Sequence, residues 1–399
     1  MLNPKFSIFD ENMFLKVNEL FDKIENNSGK SIINLTIGEP QMSPPKWIND
    51  IMSNHLNNWH SYPKASADKD FLNDLSFYFR NRFESIAEKF ILDDHIVPVP
   101  GTREPLNLIG FCVKDVKPNQ IACVTNPFYH AWRTGALSSD SKIVYLNANK
   151  ENNFLPDLNE ISEKILKNTV IMYLCSPSNP QGTIASIDYI KKAIDFARYY
   201  NFLLVFDECY IDIWRNIKPS SALQVCFDME KINEDPFKNL IVVNSLSKRS
   251  NSAGLRAGFI CGDKRFISAY KKLVSNGAAL VQTPILRVAG SLYRDNEHNE
   301  EIRAHYDYSF KIIKDGLKTP TPNGGFFLWF PVPEKFKGND KDFTSEIYAN
   351  CGIKVMPGSL MGQNYNGYNP ASGYVRLAIV HNHKYIKDAV KRLANFMKN

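Results

Sequence analysis

Short apolar runs rich in β-branched residues alternate with helical patterns through much of this 399-residue chain. Each run has the length of a strand, whereas stretches around them, such as Phe71–Phe90, have the spacing of an amphipathic helix. This alternation is typical of βαβ units, so the sequence predicts an α/β fold with a mostly parallel sheet. The runs assigned to this sheet are Ile96–Val99, Ile121–Val124, Val170–Leu174, Phe202–Phe206, Leu240–Val243 and Gly258–Gly262.

The pattern changes beyond Pro284. A charged helical stretch reaches about Leu317, Gly324–Phe330 is typical of an edge strand, Val375–Ile379 predicts another strand, and an amphipathic helix follows. These elements indicate a smaller α+β domain. We therefore expect a large α/β domain over residues 46–290, and a small α+β domain formed by residues 1–45 with 291–399.

The run Leu240–Val243 leads into a polar stretch that contains Ser245, Ser247 and Lys248, and Arg256 follows eight positions after the lysine (256 − 248). Open α/β sheets bind ligands at the carboxyl ends of their strands, where this stretch lies. Hydroxyl groups and a guanidinium suit a phosphate. A lysine beside a phosphate site suggests pyridoxal phosphate, although this stretch taken alone is more typical of a solvated basic loop.

Other strands end in polar motifs of the same kind. In chain order the motifs are Asn179-Pro180-x-Gly182, Asp207-x-x-Tyr210, Ser245-x-Ser247-Lys248 with Arg256, and Arg376. In this order and spacing they resemble the class I and II aminotransferases, which are fold-type I enzymes dependent on pyridoxal phosphate. The resemblance covers essentially the whole chain. It implies a large domain with a mostly parallel seven-stranded sheet, a smaller α+β domain, and a homodimer with shared active sites.

The resemblance also implies roles around the cofactor ring. Lys248 is expected to hold the cofactor's aldehyde and then, once freed, to move a proton as general base and acid. Asp207 is expected to pair with the pyridine nitrogen, so that the ring can accept electrons. Asn179 and Tyr210 are expected to hydrogen-bond the ring's phenolic oxygen, and Tyr129 to stack on the ring face.

Further roles concern the two anions that such a site must hold. Arg376 is implied to grip the substrate α-carboxylate bidentately, with Asn179 and the backbone of Gly38 beside it. Tyr62 is implied to reach the cofactor phosphate of the neighbouring subunit. The other residues implied to hold the phosphate are Gly101, Thr102, Arg103, Ser245, Ser247 and Arg256.

Six segments together resemble the N-succinyldiaminopimelate aminotransferases of bacterial lysine synthesis: Gly101–Glu104, Asn126–Tyr129, Ser245–Asn251, Gly254–Phe259, Pro322–Trp329 and Pro357–Ser359. Ser252 departs from that group, in which an apolar residue usually follows the asparagine. The implied reaction is reversible amino transfer between glutamate or 2-oxoglutarate and N-succinyl-2-amino-6-oxopimelate. The alternatives are an aspartate, aromatic or LL-diaminopimelate aminotransferase, or a pyridoxal-phosphate β-lyase, which shares the cofactor residues.

The implied substrate carries three carboxylates, so additional cations near the mouth of the site make physical sense. Arg103 and Arg249 are the candidates. The alternatives are a solvent-facing residue at a helix start for Arg103, and a phosphate-side or structural ion pair for Arg249.

Composition and motifs exclude several other classes of protein. The net charge of +6 is mild and its cations are scattered, which predicts acidic small-molecule substrates and no nucleic-acid partner. Seven cysteines without a Cys-x-x-Cys motif are typical of a reduced, cytoplasmic protein. We expect no signal peptide, no membrane association and no metal, since His381 and His383 would share a strand face without a third ligand. About 30 residues precede the first strand, too few for a DNA-binding domain, and a non-catalytic binding protein would be expected to lack Lys248 or Asp207.

Overall fold

A computed structural model describes residues 6–7, 12–83, 86, 92–229 and 235–398. Its strands are β1 (Ile33–Asn34), β2 (Ile96–Val99), β3 (Ile121–Asn126), β4 (Lys142–Asn147), β5 (Thr169–Cys175), β6 (Leu203–Asp207), β7 (Leu240–Ser245), β8 (Gly258–Gly262), β9 (Phe327–Pro331), β10 (Ile353–Lys354), β11 (Met356–Pro357) and β12 (Tyr374–Ala378).

The helices of the same residues alternate with these strands in the first two thirds of the chain. They are α1 (Met13–Phe21), α2 (Ile48–Asn54), α3 (Lys69–Arg82), α4 (Leu92–His95), α5 (Arg103–Leu108), α6 (His130–Ser138), α7 (Glu163–Asn168), α8 (Ile187–Tyr199), α9 (Ala222–Asp228), α10 (Leu246–Arg249), α11 (Lys264–Gly277), α12 (Thr283–Arg294), α13 (Glu297–Leu317), α14 (Asp340–Cys351) and α15 (His383–Lys398).

The central sheet has seven strands in the order β2-β8-β7-β6-β5-β3-β4, and β8 alone runs antiparallel to its neighbours. The predicted mostly parallel sheet is therefore confirmed. The strand that the sequence patterns missed is β4, an edge strand whose side chains alternate between buried and less buried positions. Strands β5 and β6 are buried along their whole length because helices cover both faces of the sheet.

This layering places six carboxyl ends at one edge of the sheet. In strand β5, alternate side chains pack on opposite faces of the sheet. Met172 and Leu174 belong to one core cluster, and Ile171 and Tyr173 belong to the other. The loops that follow the parallel strands therefore emerge together at the edge where polar residues were expected.

The remaining strands form two smaller sheets. Strands β11, β12 and β9 make an antiparallel sheet with β9 at its edge, as predicted, and β1 pairs in parallel with β10. The stretch expected to be one charged helix is two helices, because the chain turns at Asp295, whose carboxylate accepts a hydrogen bond from the Glu297 amide at 2.7 Å. The division into residues 46–290 and the remainder stays a prediction.

The helix predicted over Phe71–Phe90 stops earlier than predicted, at Arg82. Helix α3 begins at Lys69 behind Asp68, whose side chain accepts from the Phe71 amide, and ends at Arg82. Residues 84–85 and 87–90 of the predicted helix lie outside the described part of the chain.

Candidate active site

A cavity of about 490 Å³ opens at the carboxyl edge of the central sheet, next to β9 and β12. Its lining includes twelve of the fourteen residues singled out from the sequence. These are Gly38, Thr102, Arg103, Tyr129, Asn179, Asp207, Tyr210, Ser245, Ser247, Lys248, Arg256 and Arg376. Residues separated by more than 300 positions in the chain thus meet in one cavity of a size usual for a small-molecule site.

Lys248 lies on the short helix α10, directly after β7. The hydroxyl of Ser245 accepts a hydrogen bond from the Ser247 amide at 3.1 Å and so fixes the turn from strand to helix. The Lys248 Nζ donates to the Gly38 carbonyl at 2.6 Å and lies 5.6 Å from the centre of the Phe326 ring. Burial lowers the pKa of Lys248 to about 8, because desolvation disfavours the charged amine.

Asp207 ends β6 and is 5% exposed. Its carboxylate accepts from the Trp132 indole Nε1 at 3.3 Å and from the Cys209 amide at 3.2 Å. Burial raises the pKa of Asp207, and these hydrogen bonds oppose that effect. The cavity therefore contains a desolvated carboxylate that a cationic ring nitrogen would stabilise.

Arg376 lies on β12 and is 2% exposed. Its guanidinium donates to the Asn179 side-chain oxygen at 3.1 Å and to the Thr36 carbonyl at 2.7 Å, while its Nε has no hydrogen-bond partner among the described residues. Desolvation lowers the Arg376 pKa to about 10, so the side chain remains a cation at neutral pH. A buried cation that lines the cavity suits a carboxylate ligand.

The groups suited to the second anion, a phosphate, are hydroxyls and a second guanidinium in the same cavity. Ser245 and Ser247 place their hydroxyls 2.9 Å apart, and Arg256 donates to the carbonyls of Pro100 and Ala253 at 3.0 and 2.9 Å. Gly101 does not line the cavity. Its backbone has φ +78°, and a Cβ there would collide with the Arg256 guanidinium.

Aromatic side chains form other parts of the wall. The Tyr129 hydroxyl accepts from Arg103 Nε at 3.3 Å. Tyr210 packs edge-on against Phe326 and Phe327, with ring centres 5.4 and 5.8 Å apart. Burial holds the pKa of the Tyr210 phenol well above its usual range, so this hydroxyl stays protonated and can donate a hydrogen bond.

Two expectations need correction. Arg249 was a candidate for a distal carboxylate, but it is 2% exposed, contacts Asp212 at 3.2 Å and donates to the Leu292 carbonyl at 2.6 Å, so it is a structural residue of the core. His381 and His383 do not share a strand face, because β12 ends at Ala378 and His383 begins α15. Tyr62 is 97% exposed and lies outside the cavity of its own chain.

Several lining residues were missed by sequence reasoning. Trp132, which donates to Asp207, lies three positions after Tyr129 on α6, so helical spacing from Tyr129 is the signal that could have found it. Cys175 is the cross-strand partner of Asp207. Phe327 follows a glycine pair after a long helix, and no local signal distinguishes it from a core residue.

The residues present fit pyridoxal phosphate. A buried amine of lowered pKa, a desolvated carboxylate and a group of hydroxyls with a guanidinium line one cavity, and they match the aldehyde, ring nitrogen and phosphate of that cofactor. Fold and site together define a fold-type I enzyme dependent on pyridoxal phosphate.

Comparisons with known proteins specify the family. Residues 30–393 match the class I and II aminotransferases, and the chain belongs to that family. An LL-diaminopimelate aminotransferase from Aquifex aeolicus is 28% identical over 384 residues, which cover 94% of this chain and 93% of the relative.

Solved structures agree with this assignment. An aminotransferase from Neisseria meningitidis has a TM-score of 0.91 at 26% identity, covering 98% of this chain and 99% of that one. The aminotransferase AspB from Helicobacter pylori has a TM-score of 0.87 at 29% identity, with both chains covered completely.

Two features are absent from the described residues. No helix in them is long and apolar enough to cross a membrane. They also contain no group of three or more histidine, cysteine, aspartate or glutamate side chains placed to hold a metal ion.

Proposed function

We propose that this aminotransferase transfers an amino group reversibly between glutamate or 2-oxoglutarate and N-succinyl-2-amino-6-oxopimelate, the succinyldiaminopimelate transaminase reaction of lysine biosynthesis. The observation that carries the proposal is the shared cavity of Lys248, Asp207 and Arg376. The motifs around Lys248 and Arg103 support the succinylated substrate. The curated relatives named LL-diaminopimelate aminotransferase, at 25–28% identity, support the diaminopimelate pathway.

In this proposal a cationic residue and an anionic residue of the chain have different roles at the cofactor ring. Lys248 holds the cofactor and, when freed, carries the proton to and from the substrate Cα, which its pKa of about 8 favours at neutral pH. Asp207 keeps the ring nitrogen protonated, and Trp132 holds Asp207 in place. When bound, pyridoxal phosphate supplies an electron sink for the pair released at Cα.

The remaining residues orient the two ligands. Arg376 binds the α-carboxylate, and its hydrogen bond to Asn179 fixes the amide that also faces the ring's phenolic oxygen with Tyr210. Tyr129 covers one ring face, and Gly38 lies at the lysine, accepting from its amine. The phosphate group is assigned to Thr102, Ser245, Ser247 and Arg256, with Tyr62 from a second subunit, whereas Gly101 donates its amide to the Val99 carbonyl and leaves room for the Arg256 guanidinium.

Arg103 is the residue proposed to bind a distal carboxylate of the substrate. It is exposed, lines the cavity, and uses its Nε for Tyr129, which leaves the two terminal nitrogens directed at neither a carboxylate nor a carbonyl of the described residues. A planar guanidinium at the mouth can receive one end of a long tricarboxylate while Arg376 holds the other.

The second candidate is an LL-diaminopimelate aminotransferase. The names of the curated relatives favour it. Its substrate has a distal amino group beside the distal carboxylate, and Glu39, which also lines the cavity, provides a carboxylate to which such an ammonium could pair. The two candidates therefore differ in whether the distal nitrogen must be charged.

We also propose a homodimer in the cytoplasm. Tyr62, Trp59 and Phe111 expose large aromatic surfaces, at 97%, 50% and 49%, which a second subunit would cover. The seven cysteines are all unpaired, which suits a reducing compartment.

A half-reaction assay separates the candidates. The enzyme is first converted to its amino form with glutamate, and the return of the absorbance of the aldehyde form is then followed with a panel of 2-oxo acids. We expect N-succinyl-2-amino-6-oxopimelate to exceed oxaloacetate and aromatic 2-oxo acids by at least about tenfold in kcat/KM. Product analysis tests for β-elimination, whose detection in place of amino transfer would contradict the proposal.

Two variants test the binding assignments in the same assay. Arg103→Gln should raise KM for the succinylated acceptor by about tenfold and leave the glutamate half-reaction nearly unchanged. Arg376→Lys should raise KM for both donor and acceptor, because lysine cannot bind a carboxylate through two nitrogens. Faster turnover of LL-diaminopimelate than of its N-succinyl form would instead support the second candidate.

A further inference from the structure

The catalytic cavity contains a thiol to which neither the motifs nor the proposed reaction assigns a role. Cys209 lies two positions after the end of β6, inside the motif Asp207-x-x-Tyr210, and it lines the cavity with both residues of that motif. Glu208 does not line the cavity, and its carboxylate accepts instead from the Ser221 hydroxyl at 2.8 Å. Of the two residues that the motif leaves open, only Cys209 therefore belongs to the catalytic cavity.

The Cys209 side chain lies between two groups that are expected to hold different parts of the cofactor. Its sulfur is 3.1 Å from the hydroxyl of Thr102, a residue assigned to the phosphate. It also forms a side-chain hydrogen bond with the carboxylate of Asp207, the proposed partner of the ring nitrogen. The Cys209 amide donates to the same carboxylate at 3.2 Å. Cys209 is thus in contact with both Thr102 and Asp207.

The charges around the thiol determine which group donates each hydrogen bond. Burial, and then the negative charge of Asp207, hold the pKa of the Cys209 thiol well above its usual range, so the sulfur keeps its hydrogen. An ionised carboxylate can only accept, so the thiol donates to Asp207. The sulfur can then accept from the Thr102 hydroxyl. In this chain of hydrogen bonds each donor is directed toward the negative charge, and such bonds strengthen one another.

The hydrogen bond from the thiol favours the charged form of Asp207. Burial raises the pKa of Asp207, and the Cys209 thiol opposes that rise together with the Cys209 amide and the Trp132 indole. Loss of the thiol would therefore raise the pKa of this carboxyl further and leave its orientation less restricted. A carboxyl that is protonated or turned away binds a cationic ring nitrogen less well.

We propose that Cys209 is a positioning residue, whose thiol holds the Asp207 carboxylate toward the ring nitrogen and links it to the Thr102 side chain at the phosphate end of the cofactor. The competing explanation is that Cys209 only fills space in the cavity wall. The proposal concerns the cofactor site and does not depend on the identity of the substrate. It can therefore fail, or hold, independently of the proposed succinylated acceptor.

Equilibrium dialysis of pyridoxal phosphate against the apo-enzyme separates these two explanations. We expect Cys209→Ala to weaken binding about tenfold, because a hydrogen bond to a charged group is lost. Cys209→Ser keeps a donor and an acceptor and should recover most of that loss. Space filling alone predicts no such recovery, since serine is polar and smaller than cysteine. Parent-like binding by Cys209→Ala, or equal losses in the two variants, would overturn the proposal.

Infrared spectroscopy of the S–H stretch observes the hydrogen bond itself in the enzyme saturated with pyridoxal phosphate. The difference spectrum between the parent and Cys209→Ala isolates the Cys209 band. We expect Asp207→Asn to shift this band to higher frequency, because a neutral amide is a weaker acceptor than a carboxylate. A band that keeps its position in Asp207→Asn would show that the thiol does not donate to Asp207.

Cys175 provides a matched control for this measurement. It lines the same cavity and is the cross-strand partner of Asp207, but its thiol donates to the Pro177 carbonyl at 3.2 Å. The difference spectrum between the parent and Cys175→Ala isolates its band, which should move much less in Asp207→Asn. Equal shifts of the two bands would mean that only the lost charge matters, and would contradict the specific hydrogen bond.

Pyridoxal, which lacks the phosphate, tests the link between Thr102 and Asp207. Thr102→Val removes the hydroxyl and keeps the shape of the side chain. We expect this change to weaken pyridoxal binding about threefold in the parent and to have no effect in Cys209→Ala, because the hydroxyl acts on this ligand only through the thiol. No effect in the parent, or an equal effect in both backgrounds, would refute the link through Cys209.

Discussion

Lys248 illustrates how burial alone prepares a side chain for chemistry. Its amine donates to the Gly38 carbonyl at 2.6 Å and approaches the Phe326 ring, so little water surrounds it. Desolvation lowers the pKa of this amine to about 8, against about 10.4 for an ordinary lysine. A larger fraction of the amine is therefore neutral and nucleophilic near neutral pH.

A pH prediction follows for the apo-protein. Because only the neutral amine reacts, acetylation of Lys248 by limiting acetic anhydride should rise with pH with a midpoint at about 8 and then level off. Peptide mass spectrometry measures the modified fraction, and exposed lysines of the same digest are the internal reference, with a midpoint near 10.4. A midpoint for Lys248 equal to that reference would show that the amine is hydrated.

Arg249, next in the chain, serves the fold instead. Asp212 is 4% exposed and contacts Arg249 at 3.2 Å, Arg82 at 2.9 Å and the Tyr78 hydroxyl at 2.9 Å. Burial raises the pKa of Asp212, but the two guanidinium groups outweigh it, so the pKa is lower than usual. The charged carboxylate therefore stabilises the folded state above its unfolded pKa, and this contribution is lost as pH falls through its folded pKa.

Replacing Arg249 should thus affect stability more than substrate binding. We expect Arg249→Met to lower the free energy of unfolding by about 3–5 kcal/mol at neutral pH, because part of the compensation for a buried carboxylate is removed. The deficit should narrow in acid, where Asp212 becomes protonated. Denaturant unfolding at several pH values measures it. Arg294→Met, at an exposed ion pair, is the control and should cost less than about 1 kcal/mol.

At the scale of elements, the turn before β9 is held by one side chain. Arg215 donates to the carbonyls of Pro322, Gly325 and Gly324 at 2.7, 2.9 and 3.0 Å, and its guanidinium lies 4.0 Å from the centre of the Phe310 ring. The turn leads directly into Phe326 and Phe327, which pack on Tyr210. Arg215 therefore positions one wall of the catalytic cavity.

Removing that guanidinium should loosen the turn. Arg215→Met leaves three carbonyl oxygens without their donor, so we expect a loss of about 2–4 kcal/mol in unfolding free energy and a raised KM for glutamate. Arg215→Lys keeps the charge but cannot reach three carbonyls in one plane, and should give an intermediate loss. Thermal unfolding and steady-state kinetics measure the two effects. Parent-like values for Arg215→Met would mean that the glycine-rich turn holds its shape unaided.

At the scale of the whole molecule, the predicted role of Tyr62 in phosphate binding requires a second subunit. It is 97% exposed and does not line the cavity of its own chain. The proposed homodimer would bring it to the phosphate of the other subunit, because a shared site requires each subunit to supply residues to its partner.

Mixing two inactive variants tests this sharing. A Lys248→Ala subunit and a Tyr62→Ala subunit should each have low activity, but a hybrid dimer contains one site with both residues intact. Co-refolding should therefore restore about a quarter of the sites. Mixing Lys248→Ala with Lys248→Ala/Tyr62→Ala is the control and should restore none. No recovery in hybrids that form by mass spectrometry would show that Tyr62 acts within its own chain or not at all.

The sequence predicted the elements of the central sheet better than those around it. Strands β5, β6 and β7 are continuous apolar runs because both faces of the sheet are covered, and such runs are visible locally. Strand β4 was missed because an edge strand with alternating exposure has a weaker pattern. The break at Asp295 was missed because charged residues continue on both sides of it.

The residues of the candidate site also differ in how well the sequence predicts them. Motifs that follow strands, such as Asp207 and Lys248, could be assigned to one edge because parallel strands end together. Trp132 and Phe327 could not, since their relation to Asp207 and Tyr210 depends on packing between elements. The functional roles of these residues remain predictions until the variants are measured.

The sequence by itself determined which chemical groups the chain offers and which local element carries each of them, because periodicity and turn motifs depend on neighbouring residues. Only the tertiary structure decided which cations face a ligand. Arg376 lines the cavity, whereas Arg249 lies outside its lining and is ion-paired with Asp212, 37 positions earlier in the chain (249 − 212). The physical reason is that desolvation and charge pairing act through space, between residues whose sequence separation carries no signal.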